Sequence, residues 1–598
     1  MSLPWWKADF SFLYRLSELL KSDIESRQSI LGFQSEAVWL CLASVVLWFA
    51  ICFRLGDLPL LQPDEGRNAE VAREMKVSGA WLAPTYNGIT YLDKPAFYFK
   101  TVALSLACFG DSETAARIPS AGFGIGVLGL TYLFCRREYG VRCAALAAIV
   151  LATTPLFLVN ARTVIFDIAL CFFSAAAIFA GFRAEETEGN ARRGWYLLGA
   201  GAAGFATLVK GPVGFLVPAL VLLVFHRILG RRGVWRRLFA PLNLLVFFAI
   251  GLAWFIPLSL AHPDFPHYGL VEESFHRFTT GGFHRSKPFY FYGAVVLGLF
   301  LPWSLLLPEA IVAAWKSRRS QSRADVLCIV WALVVVIFFS LSQSKLPGYI
   351  LSAAVACGIL VARLFDRALA QPEGRPARIA RHATIAFVVV FLLVAGAAIF
   401  LSSRIGSLAR PLGITMVDAD RLKSQFPAAV VILLACVAFA LLAVWRRSAG
   451  LCFVCFASFP LLLVSVNYGM INVVFNAKSA RVLAQQIPTL PPETQLACLE
   501  CFPNGLAFYL NRTATLITRD GGELTSNYIL FRLKSGQAWP SNVVAVSDFN
   551  HWLATREHPV YLVVRQQDRS RLEPIAAARK TTIRQLTPQY VGALLPPS

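Results

Sequence analysis

The sequence predicts an all-α polytopic membrane protein of about 13 transmembrane helices, with a small C-terminal α/β domain outside the bilayer. Three observations predict it. Of 598 residues, 56% are hydrophobic and 15% charged, where soluble domains carry about 25% charged residues. Apolar stretches recur at the length of about 20 residues that a spanning helix needs. After about residue 470 the pattern changes to short segments, LAFYL, ATLIT and PVYLVV, set between Asn, Gly, Asp and Pro clusters, which is a strand signal. The net charge of +21 would suggest nucleic acid as the partner of a soluble protein. In a membrane protein it follows from Lys and Arg gathered in inner loops, so the expected partner is the lipid bilayer and no nucleic acid.

The elements follow in order. Residues 1–37 mix Trp5, Trp6, Phe10 and Leu16 with Lys7, Arg15 and Lys21, the composition of an interfacial amphipathic helix rather than a cleavable signal peptide. Spans are expected near 38–55, 115–135, 143–160, 166–183, 194–209, 211–229, 238–261, 289–313, 325–341, 346–364, 382–402, 427–445 and 450–468. With the N-terminus inside, every inner connection is basic, such as that holding Arg227, Arg231, Arg232, Arg236 and Arg237. The short outer connections carry at most one or two basic residues, and this asymmetry sets the orientation. Residues 38–470 thus form the transmembrane part, with long outer loops at 56–114 and 262–288, and 471–598 form the outer α/β domain, with some helix near 478–487. In the first loop, 64–78 has helical character ending at Ser78-Gly79, and 95–109 reads as an interfacial helix. Most of the 13 cysteines sit in apolar segments as small core residues. Cys498-x-x-Cys501 is half of a zinc pattern with no second half, and a disulfide or two unpaired thiols is the plainer reading.

This topology brings scattered polar residues to one membrane face. Asp64 lies just past the first span, Asp93 and Lys94 lie in the same loop, and Asp167 sits at the end of the fourth span. Lys210 lies between the fifth and sixth spans, His276, Arg277, His284, Arg285 and Lys287 in the second long loop, and Lys345 at the start of the tenth span. Ionisable residues at membrane depth are costly and are functional candidates by default. Each also has a plain structural reading. Asp64 can be the N-cap of helix 64–78. Lys210, Lys345 and Arg162 can snorkel to the interface, and His276 and His284 can be ordinary loop residues. Asp167 is harder to explain structurally, being flanked by Phe166, Ile168 and Ala169; a carboxylate there needs a partner or a polar cavity. Arg67, Glu70, Arg73 and Glu74 read as the solvated face of helix 64–78. Cations at headgroup depth suit a phosphate, and carboxylates suit general-base or metal-binding duty. Together they suit transfer of a group from a lipid phosphate, whose departing charge the cations stabilise.

Four stretches carry a resemblance. PDEGRNAEVAREMKVSGAWLAPTYNGITYLDKPAFYF (63–99), LVKGPVGF (208–215), HRSKPFYFYGAVVLGLFLPW (284–303) and SKLPGYILSA (344–353) resemble, in this order, bacterial membrane glycosyltransferases of the protein mannosyltransferase-like superfamily with the C-type fold. They are closest to the aminoarabinose transferases that modify lipid A, and the resemblance covers about residues 38–598. It implies catalytic acids at Asp64, with Glu65 beside it, and at Asp167. It implies that Lys94 contacts the polyprenyl phosphate, and that Tyr349 and Lys345 line the phosphate pocket, joined by Arg277 or Arg285; Lys210 completes the substrate-binding set by its position. It further implies a metal ligand at Asp93, with His284 or else His276 as its partner, so a divalent metal such as zinc is an expected cofactor. This chain departs from the pattern in having Asp93-Lys94-Pro95-Ala96, with a shorter acid and no second Pro, and in having Gly66 and Asn68 in place of bulkier residues.

The implied activity is transfer of a sugar, with 4-amino-4-deoxy-L-arabinose favoured, from undecaprenyl phosphate to lipid A. The implied location is the periplasmic face of the bacterial inner membrane, with the N-terminus cytoplasmic, and a monomer is expected. A cationic cap on lipid A lowers surface negative charge and so weakens binding of cationic peptides such as polymyxin. The nearest rival is the same chemistry with another sugar, or with a protein or glycan hydroxyl as acceptor. A transporter of lipid-linked substrate is disfavoured, because transporters place ions near the bilayer midplane in repeated halves and no internal repeat is visible.

Overall fold

The computed structural model describes residues 36–597, apart from 280–285, 318–321, 413, 467 and 536–537. Among them, six helices are long and apolar enough to cross a bilayer: Glu113–Tyr139, Asp167–Ala184, Arg323–Leu341, Pro347–Ala370, Arg375–Ala409 and Met416–Trp445. The number rises to nine if each of three bent pairs is one span, namely Val141–Ala152 with Pro155–Ala161, Pro241–Gly251 with Phe255–Ala261, and Phe291–Leu299 with Trp303–Lys316. Glu36–Cys52, Val213–Ile228 and Ala449–Leu462 are shorter apolar helices, and Gly189–Lys210 is a further helix of 22 residues. The Arg375–Leu412 helix has 38 residues, about 57 Å at 1.5 Å per residue, so it outruns the expected span 382–402. The amphipathic reading of 1–37 falls almost wholly outside the described residues.

The first bent pair shapes the site. Pro155 cannot continue the preceding helix, and Thr153 and Thr154 turn their hydroxyls back onto Ile149 O and Val150 O at 2.7 and 2.8 Å. The chain bends by 73°, and the short helix Pro155–Ala161 presents Leu156, Val159 and Asn160 to a cavity described below.

The C-terminal part holds a six-stranded sheet with order β5-β4-β3-β6-β8-β7. Its strands are β3 (Gln495–Leu499), β4 (Thr515–Thr518), β5 (Val543–Ala545), β6 (Val560–Arg565), β7 (Arg584–Thr587) and β8 (Tyr590–Leu595); β1 (Thr85–Tyr86) and β2 (Ile89–Thr90) form a separate hairpin. Strands β3 to β6 pair in parallel, and β8 runs antiparallel to β6 and β7. Alternate side chains leave opposite faces of a strand. Val560, Leu562 and Val564 pack with Phe549, Trp552 and Leu572, while Tyr561 and Val563 face a second core shared with Val71, Ala72 and Met75 of the Asp64–Ser78 helix. The sheet is therefore buried on both faces, and its inner face is docked on the first long connection.

That docking overturns two expectations. LAFYL is a helix, Leu506–Leu510, entered and left through left-handed Gly505 (φ 94°) and Asn511 (φ 52°); an apolar run of five does not distinguish strand from helix by periodicity. The charged face of 64–78 is not solvated either. Arg67, Glu70, Arg73 and Glu74 are all buried, with both Glu70 oxygens on Arg73 at 2.7 Å. Gly66 allows the approach, because a Cβ there would stand 2.5 Å from Asn504 O. Cys498, on β3, and Cys501, just past its end, are free, buried thiols, and Cys501 Sγ contacts Val563 O at 3.6 Å.

Candidate active site

A cavity of about 350 Å³ lies where helix ends meet the C-terminal domain, lined among others by Asp64, Arg67, Asn68, Asp93, Asn160 and Asp167 and by Lys94, Lys210, Arg277, Tyr349 and Asn527. Seven residues singled out from the sequence therefore converge on one cavity.

The Asp64–Ser78 helix supplies the first wall. Pro63 precedes it, Asp64 is its first residue, and no side chain caps its start, so the capping reading of Asp64 does not hold. Asp64, Arg67 and Asn68 share one face through i, i+3 and i+4 spacing. Arg67 Nη2 donates to Asp64 Oδ1 at 2.5 Å, and Nη1 donates to both the carbonyl and the hydroxyl oxygen of Thr525 at 2.8 Å. Thr525 is itself left-handed, with φ 54°. One guanidinium thus ties the acid to the C-terminal domain.

Glu65 does not join this wall, which corrects its assignment as a catalytic acid. It points the other way and is spent on structure. Its oxygens accept from Arg117 Nε and Nη2 at 3.0 Å, from Leu61 N at 3.0 Å and from Val164 N at 2.9 Å. Arg117 also holds the carbonyls of Leu55, Leu58 and Pro59, so this pair fixes the entry into the Asp64 helix.

The lining is also cationic. Lys94 and Arg277 both donate to Glu273 Oε1, and Asn527 Nδ2 donates to Glu273 Oε2 at 3.3 Å. Burial works against the Glu273 charge, but Lys94 and then Arg277 outweigh it and hold the carboxyl below its ordinary range. Arg277 Nη2 also donates to Tyr349 Oη at 3.2 Å, and Lys210 Nζ lies 4.1 Å from the Tyr349 ring centroid while donating to Asp167. Gly348 makes room for this, since a Cβ there would lie 2.9 Å from Asp167 Oδ2. Lys94, Arg277, Lys210 and Tyr349 can together receive an oxyanion, and Asp64 and Asp167 stand ready to hold a hydroxyl or a cation.

Asp93 lines the cavity, but its carboxylate is already committed. Oδ1 accepts from Tyr268 Oη at 2.9 Å, Ser526 Oγ at 3.2 Å and Tyr528 N at 2.7 Å, and Oδ2 accepts from Asn527 N at 3.1 Å. Asp93 thus sits on the first turn of the Asn527–Lys534 helix, where a carboxylate is favoured. Among the described residues no three His, Cys, Asp or Glu side chains gather as a metal site. Asp93 is held by four donors of Tyr268, Ser526, Asn527 and Tyr528, and its expected metal partner His284, like Arg285, lies outside the described residues. His276 contacts Glu272 at 3.1 Å and is not among the cavity's walls. Lys345 is buried and donates to Ser342 O; its neighbours Leu346 to Tyr349 line the cavity in its place.

Sequence reasoning missed Arg67, Asn68, Asn160, Glu273 and Asn527. Arg67 and Asn68 carried a usable signal, their i+3 and i+4 spacing from Asp64. Glu273 carried none, since an acid in a long loop is ordinary.

Fold and site define a class: a polytopic membrane protein whose helix ends and appended α/β domain enclose a cavity of paired acids and cations. Residues 60–268 match the family described as dolichyl-phosphate-mannose-protein mannosyltransferase. The particular resemblance is to aminoarabinose transferases. The chain is 32% identical over 329 residues to undecaprenyl phosphate-α-4-amino-4-deoxy-L-arabinose arabinosyl transferase 2 of Sodalis glossinidius, covering 54% of this chain and 58% of that one. It is 31% identical over 349 residues to the corresponding transferase of Edwardsiella ictaluri, covering 57% and 62%. The matched region thus spans little more than half the length of these curated relatives. Across the fold, the crystal structure of ArnT from Cupriavidus metallidurans bound to undecaprenyl phosphate superposes with a TM-score of 0.79 at 28% identity, covering 93% of this chain and 97% of that one.

Proposed function

We propose that the protein is an integral membrane glycosyltransferase that moves a sugar, with 4-amino-4-deoxy-L-arabinose favoured, from undecaprenyl phosphate to lipid A. The observation that carries this is the convergence of Asp64 and Asp167 with Lys94, Lys210, Arg277 and Tyr349 on one cavity, joined to the resemblance to arabinosyl transferases. In the reaction the bond between the anomeric carbon and the phosphate oxygen breaks, and an acceptor oxygen takes the sugar. Undecaprenyl phosphate leaves with added negative charge, which Lys94 and Arg277, with Lys210 and Tyr349, stabilise where that charge develops. Asp64 orients the acceptor and takes its proton if it is a hydroxyl; a phosphate acceptor needs positioning more than a base. Arg67 fixes the direction of Asp64, and Lys210 that of Asp167.

In this reading the helices make thirteen crossings of the bacterial inner membrane, with the N-terminus cytoplasmic and residues 471–598 in the periplasm, and a monomer is the working unit. The basic inner connections read from the sequence support that orientation. Modified lipid A then carries less negative charge and confers resistance to polymyxin and related peptides. Mass spectrometry of lipid A from a deletion strain, complemented with the wild-type chain, tests it. An added mass matching aminoarabinose on complementation is expected, and lipid A that is identical with and without the chain contradicts it.

A further inference from the structure

We propose that Asn68 is a specificity-determining residue that accepts a hydrogen bond from a hydroxyl or ammonium group on the sugar of the lipid-linked donor. This rests on the transfer reading above. Asn68 is 1% exposed and lines the cavity one turn after Asp64. Its Nδ2 donates to Val164 O at 2.7 Å. A backbone carbonyl only accepts, so the amide must present its nitrogen there and the remaining atom must be the oxygen. That oxygen, Oδ1, has no hydrogen-bond partner among the described residues.

Buried polar atoms are rarely left unpaired. This one belongs to a residue that lines the cavity and whose other polar atom is anchored. Its chemistry selects the ligand group. An ionised phosphate offers only acceptor oxygens and cannot satisfy a carbonyl. A sugar hydroxyl or ammonium can. A hydroxyl donates to such a carbonyl oxygen and an ammonium does so with a full charge. The cavity is thus divided, with Lys94 and Arg277 reading the phosphate and Asn68 reading the sugar. A site built to hydrogen-bond a substrate group rejects an analogue lacking it far more strongly than an apolar pocket sorts by size.

The test measures binding of two probes to the purified full chain, bare undecaprenyl phosphate and undecaprenyl phosphate carrying 4-amino-4-deoxy-L-arabinose. Asn68→Leu is expected to weaken the glycosylated probe by about tenfold or more and the bare lipid by no more than about twofold. Asn68→Asp keeps an acceptor oxygen but cannot donate to Val164, and it is expected to retain the preference for the glycosylated probe. Equal losses on both probes, no loss in Asn68→Leu, or a loss in Asn68→Asp as large as in Asn68→Leu would overturn the assignment and leave Asn68 as a helix anchor. A wild-type chain that binds neither probe refutes the transfer reading itself, and the inference falls with it.

Discussion

Arg67 donates to Asp64 at 2.5 Å with one terminal nitrogen and to Thr525 at 2.8 Å with the other. The first acid of the cavity and the C-terminal domain therefore share one planar group. Lysine is a point charge on a flexible stem and cannot hold both partners in fixed geometry. Arg67→Lys is expected to lower kcat by about a hundredfold while the chain stays folded, checked by transfer rate alongside thermal unfolding.

Glu65 is expected to matter for stability rather than chemistry. Its pair with Arg117 is almost fully buried, each side chain being 2% exposed. Removing one partner of such a pair costs roughly 3–5 kcal/mol because the other charge is left uncompensated. Glu65→Gln should lower the unfolding temperature in detergent clearly, and the surviving folded fraction should keep its turnover.

These two neighbours mark the limit of what was legible from sequence. Residue types and spacing identified Asp64, and topology brought Asp167, Lys94, Lys210 and Arg277 to the same end of the helices. The direction of each side chain around the Asp64 helix was not legible. That helix looked solvated because the surface covering it comes from residues more than 400 positions away, Asn504 and Thr525 among them. Glu273 stayed hidden for the same reason, since its meaning lies in Lys94, 179 positions distant. The sheet was partly legible, with ATLIT and PVYLVV ending as strands, whereas LAFYL was decided by the left-handed residues flanking it.

Gly348 is expected to tolerate no side chain. A Cβ there would lie 2.9 Å from Asp167 Oδ2 and 3.4 Å from Asn160 Oδ1, so Gly348→Ala must displace the carboxylate that Lys210 holds. A loss of about tenfold to a hundredfold in kcat/KM is expected, read by steady-state transfer kinetics.

Glu273 should set an alkaline limit on donor binding. Burial, first of all, lowers the pKa of the Lys94 ammonium; Glu273 opposes this and Arg277 adds to it, and the net position is below the ordinary lysine range. Removing Glu273 takes away the opposing influence, so Lys94 loses its proton at a lower pH than in the wild type. Affinity for undecaprenyl phosphate, followed from about pH 7 to 10, should therefore fall off earlier in Glu273→Gln. Coincident profiles would show that Glu273 does not hold the Lys94 charge.

The central claim is that Asp64 and Asp167 serve sugar transfer from a lipid phosphate. The most direct measurement is transfer of labelled 4-amino-4-deoxy-L-arabinose from undecaprenyl phosphate to lipid A by the purified chain, compared among wild type, Asp64→Asn and Asp167→Asn. Labelled lipid A is expected with the wild type and a loss of at least about a hundredfold in each variant, with both variants folded. Full transfer by either variant would contradict the role given to that acid, and a wild-type chain that leaves lipid A unlabelled would contradict the account as a whole.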